Sequence, residues 1–208
     1  MLAFYFYVFE CMLFINISSD KVALDDGNRQ EILNRNGIED ILGPTLLERH
    51  KNSPFQEIFL INWPWWFTNL RVGTLMINMM NAVLDQKIQI FSTDKLTLFA
   101  HLVKKGIVPD TGAIYLGQKH NIWLADFTTD LPTTKEIKLD ELPTDAFLDE
   151  VYDPYRPEGN KNMLHIANGK DKLIVSYQDK KHEISIQELN LTPTVHVEAN
   201  YMIEPVLN

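Results

Sequence analysis

The stretch whose residues come closest to forming a chemical site spans residues 57–84. It predicts a short buried strand at residues 58–61, then a turn with three tryptophans and a proline, then a helix. A strand, a tight loop and a helix N-terminus often bind phosphate, because free amide N–H groups and the helix dipole favour an anion there. Such loops normally need glycine, which lets the backbone approach the ligand. Here Trp63, Pro64, Trp65 and Trp66 occupy the loop, so the layout indicates a nucleotide site that large side chains have filled.

The segment that follows this loop has apolar residues at the spacing of an amphipathic helix. The predicted stripe comprises Leu75, Met76, Met79, Met80 and Val83. A stripe of this kind is core in most helices, but its width and its methionines also suit an adaptable partner interface. Both interpretations stay open at this point.

The polar and aromatic residues of the loop also have two interpretations each. The tryptophans favour packing over a base-stacking platform, because buried aromatic rings contribute large apolar area. Arg71 lies near the predicted helix start, where it could bind an anion, but an ion pair or a helix-packing role is the simpler interpretation.

No catalytic or metal-binding motif is encoded locally. The sequence has no G-x-S-x-G elbow and no G-x-x-x-x-G-K-[ST] loop. Cys11, the single cysteine, falls in an apolar strand where a thiol is usually inert. We therefore expect no catalytic residue, no metal and no cofactor. The histidines, none of which forms an H-x-x-x-H or H-E-x-x-H pair, are His50, His101, His120, His165, His182 and His196.

The elements that would position the loop predict an α/β lobe over residues 1–105. Its predicted strands are residues 2–9, 11–17, 21–24, 58–61 and 87–91. Its predicted helices are residues 38–50, with a kink or restart at Gly43-Pro44, the helix after the loop, and residues 94–105, capped by Ser92-Thr93.

A second, smaller lobe is predicted over residues 106–208. Its predicted elements are a hairpin of residues 112–116 and 121–127, a short helix within 139–151, strands at 163–167, 172–177 and 182–186, and an extended tail at 195–201.

Composition excludes several classes of protein. A chain of 208 residues with 45% hydrophobic and 23% charged residues is typical of a globular protein. The formal net charge of -9 argues against direct nucleic-acid binding. Residues 1–17 are apolar but too short to span a bilayer, and they lack the basic start of a signal peptide. We expect a cytoplasmic protein without a membrane role.

The loop and helix resemble the TsaB family, also called YeaZ, whose hallmark loop is G-x-G-P-G-S-F-T-G-L-R-[IV]-G. Residues 90–100 and 116–127 are similar to two further segments of that family, with Trp123, Ala125 and Phe127 in register in the second. The resemblance implies an α/β, actin-like (ribonuclease H-like) fold of two lobes, with mixed sheets flanked by helices and a reduced second lobe. The residues that match the hallmark loop are Pro64, Phe67, Thr68, Leu70, Arg71, Val72 and Gly73.

The departures from the family pattern fall on the positions that would hold a nucleotide. Tryptophans replace two loop glycines and the serine, and Asn69 replaces a third glycine. Phe6 and Tyr7 align with the Asp-Thr phosphate turn of the first strand, and Leu116 aligns with the aspartate of the second lobe. Aromatic side chains neither organise Mg²⁺ nor hold phosphate, so nucleotide chemistry is expected to be lost while the fold survives.

Two functions are compatible with these residues. The resemblance implies a non-catalytic subunit that supports tRNA N6-threonylcarbamoyladenosine modification by docking a TsaD-like partner, or a second copy of itself. The docking helices would be residues 38–50 and 74–84. The alternative is a nucleotide-binding or phosphoryl-transfer enzyme that uses Thr68, Arg71 and Lys119. The first is favoured, with the degenerate loop as Trp63, Pro64, Trp65, Trp66, Phe67, Thr68 and Arg71.

Overall fold

A computed structural model describes residues 12–19, 21–62, 67–115, 122–149 and 161–199. Its helices are α1 (Ile38–Asn52), α2 (Phe67–Val83) and α3 (Lys95–Lys104). Its first five strands are β1 (Met12–Asn16), β2 (Val22–Asp25), β3 (Gln30–Leu33), β4 (Glu57–Ile61) and β5 (Gln89–Thr93). The remaining strands are β6 (Thr111–Tyr115), β7 (Ile122–Asp126), β8 (Thr133–Ile137), β9 (Phe147–Leu148), β10 (His165–Asn168), β11 (Lys172–Tyr177) and β12 (Lys180–Ser185).

The first five strands form one mixed sheet in the order β3-β2-β1-β4-β5. β1 pairs parallel with β4, and β4 pairs parallel with β5, while β2 and β3 extend the sheet antiparallel. Every residue of β1 is buried, as expected for a strand covered on both faces. The predicted strands at residues 11–17, 21–24, 58–61 and 87–91 are therefore confirmed within two residues at each end. The strand predicted at residues 2–9 lies outside the described residues.

The sequence pattern does not predict the strand β3. Three of its residues are exposed or half-buried, and it lies at the edge of the sheet. Its sequence, Gln-Glu-Ile-Leu, lacks the apolar alternation that identifies a half-buried strand.

The predicted restart of α1 at Gly43-Pro44 is wrong. The helix continues through Pro44 for 15 residues. Proline removes one backbone hydrogen bond, but Ile38, Leu42 and Leu46 on both sides of it are buried against the sheet. Their burial on both sides of Pro44 stabilises a continuous helix.

The predicted cap of α3 is also displaced. Thr93 is the last residue of β5, and Asp94 is the N-cap. The Asp94 carboxylate accepts hydrogen bonds from the Thr97 N–H (2.8 Å) and from the Thr97 hydroxyl (2.7 Å). The first residue inside the helix, Lys95, is buried.

Two further sheets follow α3. β8-β7-β6-β9 is a four-stranded sheet, and β10-β11-β12 is an antiparallel three-stranded sheet. The predicted hairpin corresponds to β6 and β7, and the three short strands predicted after residue 162 correspond to β10, β11 and β12. Within residues 139–151, where a short helix was predicted, the described residues form one 3-10 turn (Leu139–Glu141) followed by the strand β9, so residues 139–149 contain no α-helix. β8 was not predicted, because four of its five residues are exposed.

The first sheet separates two hydrophobic clusters. On one face Leu13 and Ile15 pack with α1 and α2. On the other face Met12 and Phe14 pack with α3 and with side chains from the later sheets, including Phe147 and Leu173. This second cluster continues past residue 105, and a division of the chain there stays a prediction.

The chain returns to the first sheet near its end. Thr194 makes a backbone bridge to Ile90 of β5, and the Asn78 side chain of α2 bonds both the N–H and the C=O of Val197. Residues 195–199 form no strand. No helix in the described ranges is long and apolar enough to cross a bilayer.

Candidate functional site

The carboxyl ends of the parallel strands β1, β4 and β5 meet at one edge of the first sheet. In open α/β sheets this edge is where ligands usually bind. Here the edge encloses a cavity of only about 10 Å³, which has room for about one water molecule. Its walls are Asn16, Ile61, Lys95, Phe99, Asp149, Leu164 and Ile166.

A buried ion pair fills the centre of this edge. The Lys95 ammonium lies 2.5 Å from an Asp149 carboxylate oxygen and donates to the Ser19 hydroxyl at 3.1 Å. The side chains of Lys95 and Asp149 are 2% and 6% exposed. Asp149 follows β9, and its N–H donates to the Ala113 carbonyl of β6, so the pair ties the start of α3 to the four-stranded sheet.

Other polar groups at this edge bond to one another. The side-chain oxygen of Asn16 (Oδ1) accepts from the Ser18 N–H (3.0 Å) and the Ser18 hydroxyl (2.5 Å). The Asn62 amide donates to the Ser92 hydroxyl at 2.8 Å. The described residues of this edge therefore form a compact polar cluster whose side chains bond to one another.

Sequence reasoning missed Lys95 and Asp149. They are 54 residues apart, so no local motif connects them. One signal was present: Lys95 is the first residue of a helix, where the dipole disfavours a positive charge. A lysine at that position indicates that a compensating carboxylate lies nearby.

Most of the predicted degenerate loop lies outside the described residues, including Trp63, Pro64, Trp65 and Trp66. Phe67 is the first residue of α2, Thr68 is half-buried and Arg71 is exposed. Lys119 also lies outside the described residues. The structure therefore does not bring Thr68, Arg71 and Lys119 into one described site.

The structure explains the residue types at two other positions of the hallmark motif, Gly73 and Asn69. A Cβ atom at Gly73 would lie 2.7 Å from a methyl carbon of Ile17, so only glycine lets α2 approach the end of β1 this closely. Asn69, at a glycine position of the motif, is buried, and its amide donates to the Ser19 carbonyl at 2.8 Å. Both residues fix α2 onto the sheet.

The predicted apolar stripe of α2 divides between two environments. Met80 is buried in the core, and half-buried Met76 lies against Gly43 of α1. By contrast, Leu75, Met79 and Val83 are 53%, 53% and 71% exposed. Met80 therefore stabilises the fold, and the outward face of α2 consists of Leu75, Met79 and Val83.

Comparison with known proteins gives a likeness of fold. No family model and no curated protein matches the sequence. The structure is similar to "YeaZ from Pseudomonas aeruginosa", with 13% identity over 67% of this chain and 74% of that chain and a TM-score of 0.40. It is equally similar to an uncharacterised Pseudomonas aeruginosa protein "with similarity to peptidase YEAZ", with 13% identity, 67% and 75% coverage and a TM-score of 0.40. The sheets and helices of the structure confirm the predicted α/β class. The two solved structures carry the YeaZ name that the sequence resemblance also gives, and a likeness at this level carries no information on activity.

Proposed function

We propose that this chain is a non-catalytic, TsaB-like interaction subunit that binds a TsaD-like partner through the outward face of α2. In that role it would support tRNA N6-threonylcarbamoyladenosine modification. The observation that carries the proposal is the exposure of Leu75, Met79 and Val83 side by side on one helix. The partner and the pathway come from the resemblance of the sequence to the TsaB family.

The composition of α2 supports an interface. Beyond Arg71, each exposed position of the helix is apolar: Leu75, Met79, Ala82 and Val83. A helix on a solvated surface normally carries charged residues on its outward face, and one that is apolar all round is usually buried. The outward face of α2 therefore has the composition of a helix that another molecule covers.

The neighbouring helix enlarges this surface. Met76 of α2 lies against Gly43, which places α1 beside α2. α1 contributes one more exposed apolar side chain on this side, Leu47, which lies one helical turn after Gly43, whereas exposed Ile41 lies on the flank of α1 away from α2. A stable interface buries about 800 Å² on each partner, more than one helical stripe supplies, so we propose that both helices contribute.

The enzyme alternative has less support. A nucleotide or phosphoryl-transfer site at the sheet edge needs an open cleft, and the described edge contains the Lys95–Asp149 ion pair and a cavity of about 10 Å³. No described residue replaces the missing glycines of the loop.

The test is co-purification with the TsaD-like protein of the same genome, followed by light scattering on a sizing column. We expect a stable complex of one-to-one or two-to-two stoichiometry. Met79→Glu places a charge at the centre of the apolar face, so we expect it to weaken the complex at least about thirtyfold, the effect of an interface hot spot.

A matched control separates the interface from general surface hydrophobicity. Leu131 is 81% exposed and lies in the loop between β7 and β8, so Leu131→Glu should leave the complex intact. A homodimer that ignores the TsaD-like protein and dissociates in Met79→Glu would contradict the pathway but keep the interface. No complex of either kind, or a complex that tolerates Met79→Glu, would contradict the proposal.

A further inference from the structure

A second cavity lies on the three-stranded sheet. It is larger than the cavity beside Lys95 and Asp149, and its lining contains more lysines. It has a volume of about 380 Å³ and lies where β10, β11 and β12 meet the turn between β11 and β12. This volume is within the range of small-molecule sites. Its lining includes Lys161, His165, Ser176, Tyr177, Lys180 and Lys181.

Strand register places three of these residues in one row. His165 of β10 is paired with Ser176 of β11, and Ser176 is paired with Lys181 of β12. Directly paired residues lie on the same face of a sheet with their Cβ atoms about 5 Å apart. The imidazole, the hydroxyl and the ammonium group therefore belong to one continuous strip. The next residues of β11 on either side, Val175 and Tyr177, are buried on the opposite face.

The charges of the lining favour an anion. The lining contains Lys161, Lys180 and Lys181 together with Asp179 in the turn. Lys181 is in the same row as Ser176, whereas Lys180 is paired with Tyr177 on the other face. Within the described ranges, none of the three lysines has a carboxylate at ion-pair distance. By contrast, Lys172 on the same sheet is paired with Glu183 at 2.7 Å. The chain as a whole has a formal net charge of -9, so this is a local basic surface on an acidic protein.

Tyr177 and Gln178 shape the cavity beside this strip. Burial, with a smaller contribution from the Asp145 carboxylate, raises the pKa of Tyr177, so its hydroxyl keeps its proton at neutral pH. The Gln178 amide donates to the Asn162 side-chain oxygen at 3.1 Å, which anchors the turn to the segment that carries Lys161.

The turn has an uncommon backbone for its residues. Gln178 and Asp179 have φ values of 47° and 62°, which glycine and asparagine adopt most readily in two-residue hairpin turns. A glutamine in this region is uncommon and carries backbone strain. The turn sets the positions of Tyr177 and Lys180, which flank it.

We propose that this cavity binds a small polyanion that carries phosphate or carboxylate groups. Ammonium groups form short, charge-assisted hydrogen bonds with such oxyanions, and the Ser176 hydroxyl adds a neutral donor on the same strip. The site is separate from the outward face of α2, so it gives the chain a ligand-binding role beyond partner docking.

The probe for this site is pyrophosphate, titrated by calorimetry and by amide NMR at constant ionic strength. We expect saturable one-to-one binding with shifts centred on His165, Ser176 and Lys181. Lys181→Gln should weaken binding about tenfold, because one charge-assisted hydrogen bond is lost. Lys138→Gln, an exposed lysine beside the 3-10 turn, is the matched control and should bind pyrophosphate as the unmodified chain does.

Two outcomes would overturn the proposal. The first is absence of saturable binding, or an equal loss in Lys181→Gln and Lys138→Gln, which would indicate diffuse electrostatics. The second is much tighter binding of a single-stranded RNA oligonucleotide than of pyrophosphate at the same row of residues. That result would mean that the ligand is a polymer and not a small molecule. Thermal unfolding of both variants confirms that each one is folded.

Discussion

The helices α2 and α3 follow adjacent parallel strands of one sheet, yet their surroundings differ. α3 lies on the sheet face that the later strands also cover, and Leu98, Phe99 and Leu102 are buried there. α2 lies on the opposite face beside α1, and its outward residues are apolar and exposed. The chain covers α3 with its own second half but leaves α2 uncovered in the part that the structure describes.

The difference supports the proposed position of the partner interface. At the start of α3 the Lys95–Asp149 ion pair is buried, and the Asp94 carboxylate caps the helix. At α2 the inward face is fixed tightly, by Gly73 and Asn69, while the outward face has no polar group beyond Arg71. In the proposed function, the contact surface is therefore the outside of α2 and not the edge of the sheet.

The largest expected effect is at the buried Lys95–Asp149 ion pair beside α3. Asp149→Ala leaves the Lys95 ammonium buried without its carboxylate, and removal of one partner from a buried pair typically destabilises a protein by about 3–5 kcal/mol. We expect the urea unfolding midpoint to fall accordingly. Since total stabilities are about 5–15 kcal/mol, the variant should remain measurable at low temperature.

Two further variants test the cause of that loss. Lys95→Met combined with Asp149→Leu removes both charges and should recover most of the stability, because apolar pairs often replace buried ion pairs without loss. Glu183→Ala breaks the exposed Lys172–Glu183 pair and should have little or no effect. A small effect of Asp149→Ala alone would show that the ion pair does not hold α3 to the four-stranded sheet.

The second prediction contrasts the inward and outward faces of α2. In Gly73→Ala the new methyl group would meet Ile17 at 2.7 Å, and overpacking of this kind costs about 1–3 kcal/mol, partly offset by the higher helix propensity of alanine. Leu75→Ala, on the exposed face two residues further on, should change the free energy of unfolding by less than about 0.5 kcal/mol. Urea unfolding of the isolated chain measures both. Equal losses in the two variants would mean that the outward face is packed within the chain.

The sequence was sufficient to predict those parts of the fold that local pattern determines. Strands buried on both faces, such as β1 and β4, are continuous apolar runs, and they were predicted with nearly the observed bounds. The edge strands β3 and β8 are mostly polar and exposed, so the same criterion missed them.

The candidate sites were less accessible to sequence reasoning. Leu75, Met79 and Val83 were predicted as part of an apolar stripe, but periodicity alone did not separate them from buried Met80. The Lys95–Asp149 pair and the row of His165, Ser176 and Lys181 depend on strand pairing and on contacts between distant segments. Such contacts have no local pattern.

The smallest expected effect is at the start of α3. Asp94→Ala removes the acceptor for the Thr97 N–H and the Thr97 hydroxyl, and loss of an N-cap typically costs about 1 kcal/mol. Asp94→Asn keeps an oxygen acceptor at the cap, so it should retain most of that stability, with a decrease of a few tenths of a kcal/mol for the lost charge at the helix N-terminus. Urea unfolding at neutral pH distinguishes the two variants. If Asp94→Asn lowers the free energy of unfolding as much as Asp94→Ala does, the charge of Asp94 matters more than its hydrogen bonds. The start of α3 is then stabilised by electrostatics rather than by capping hydrogen bonds.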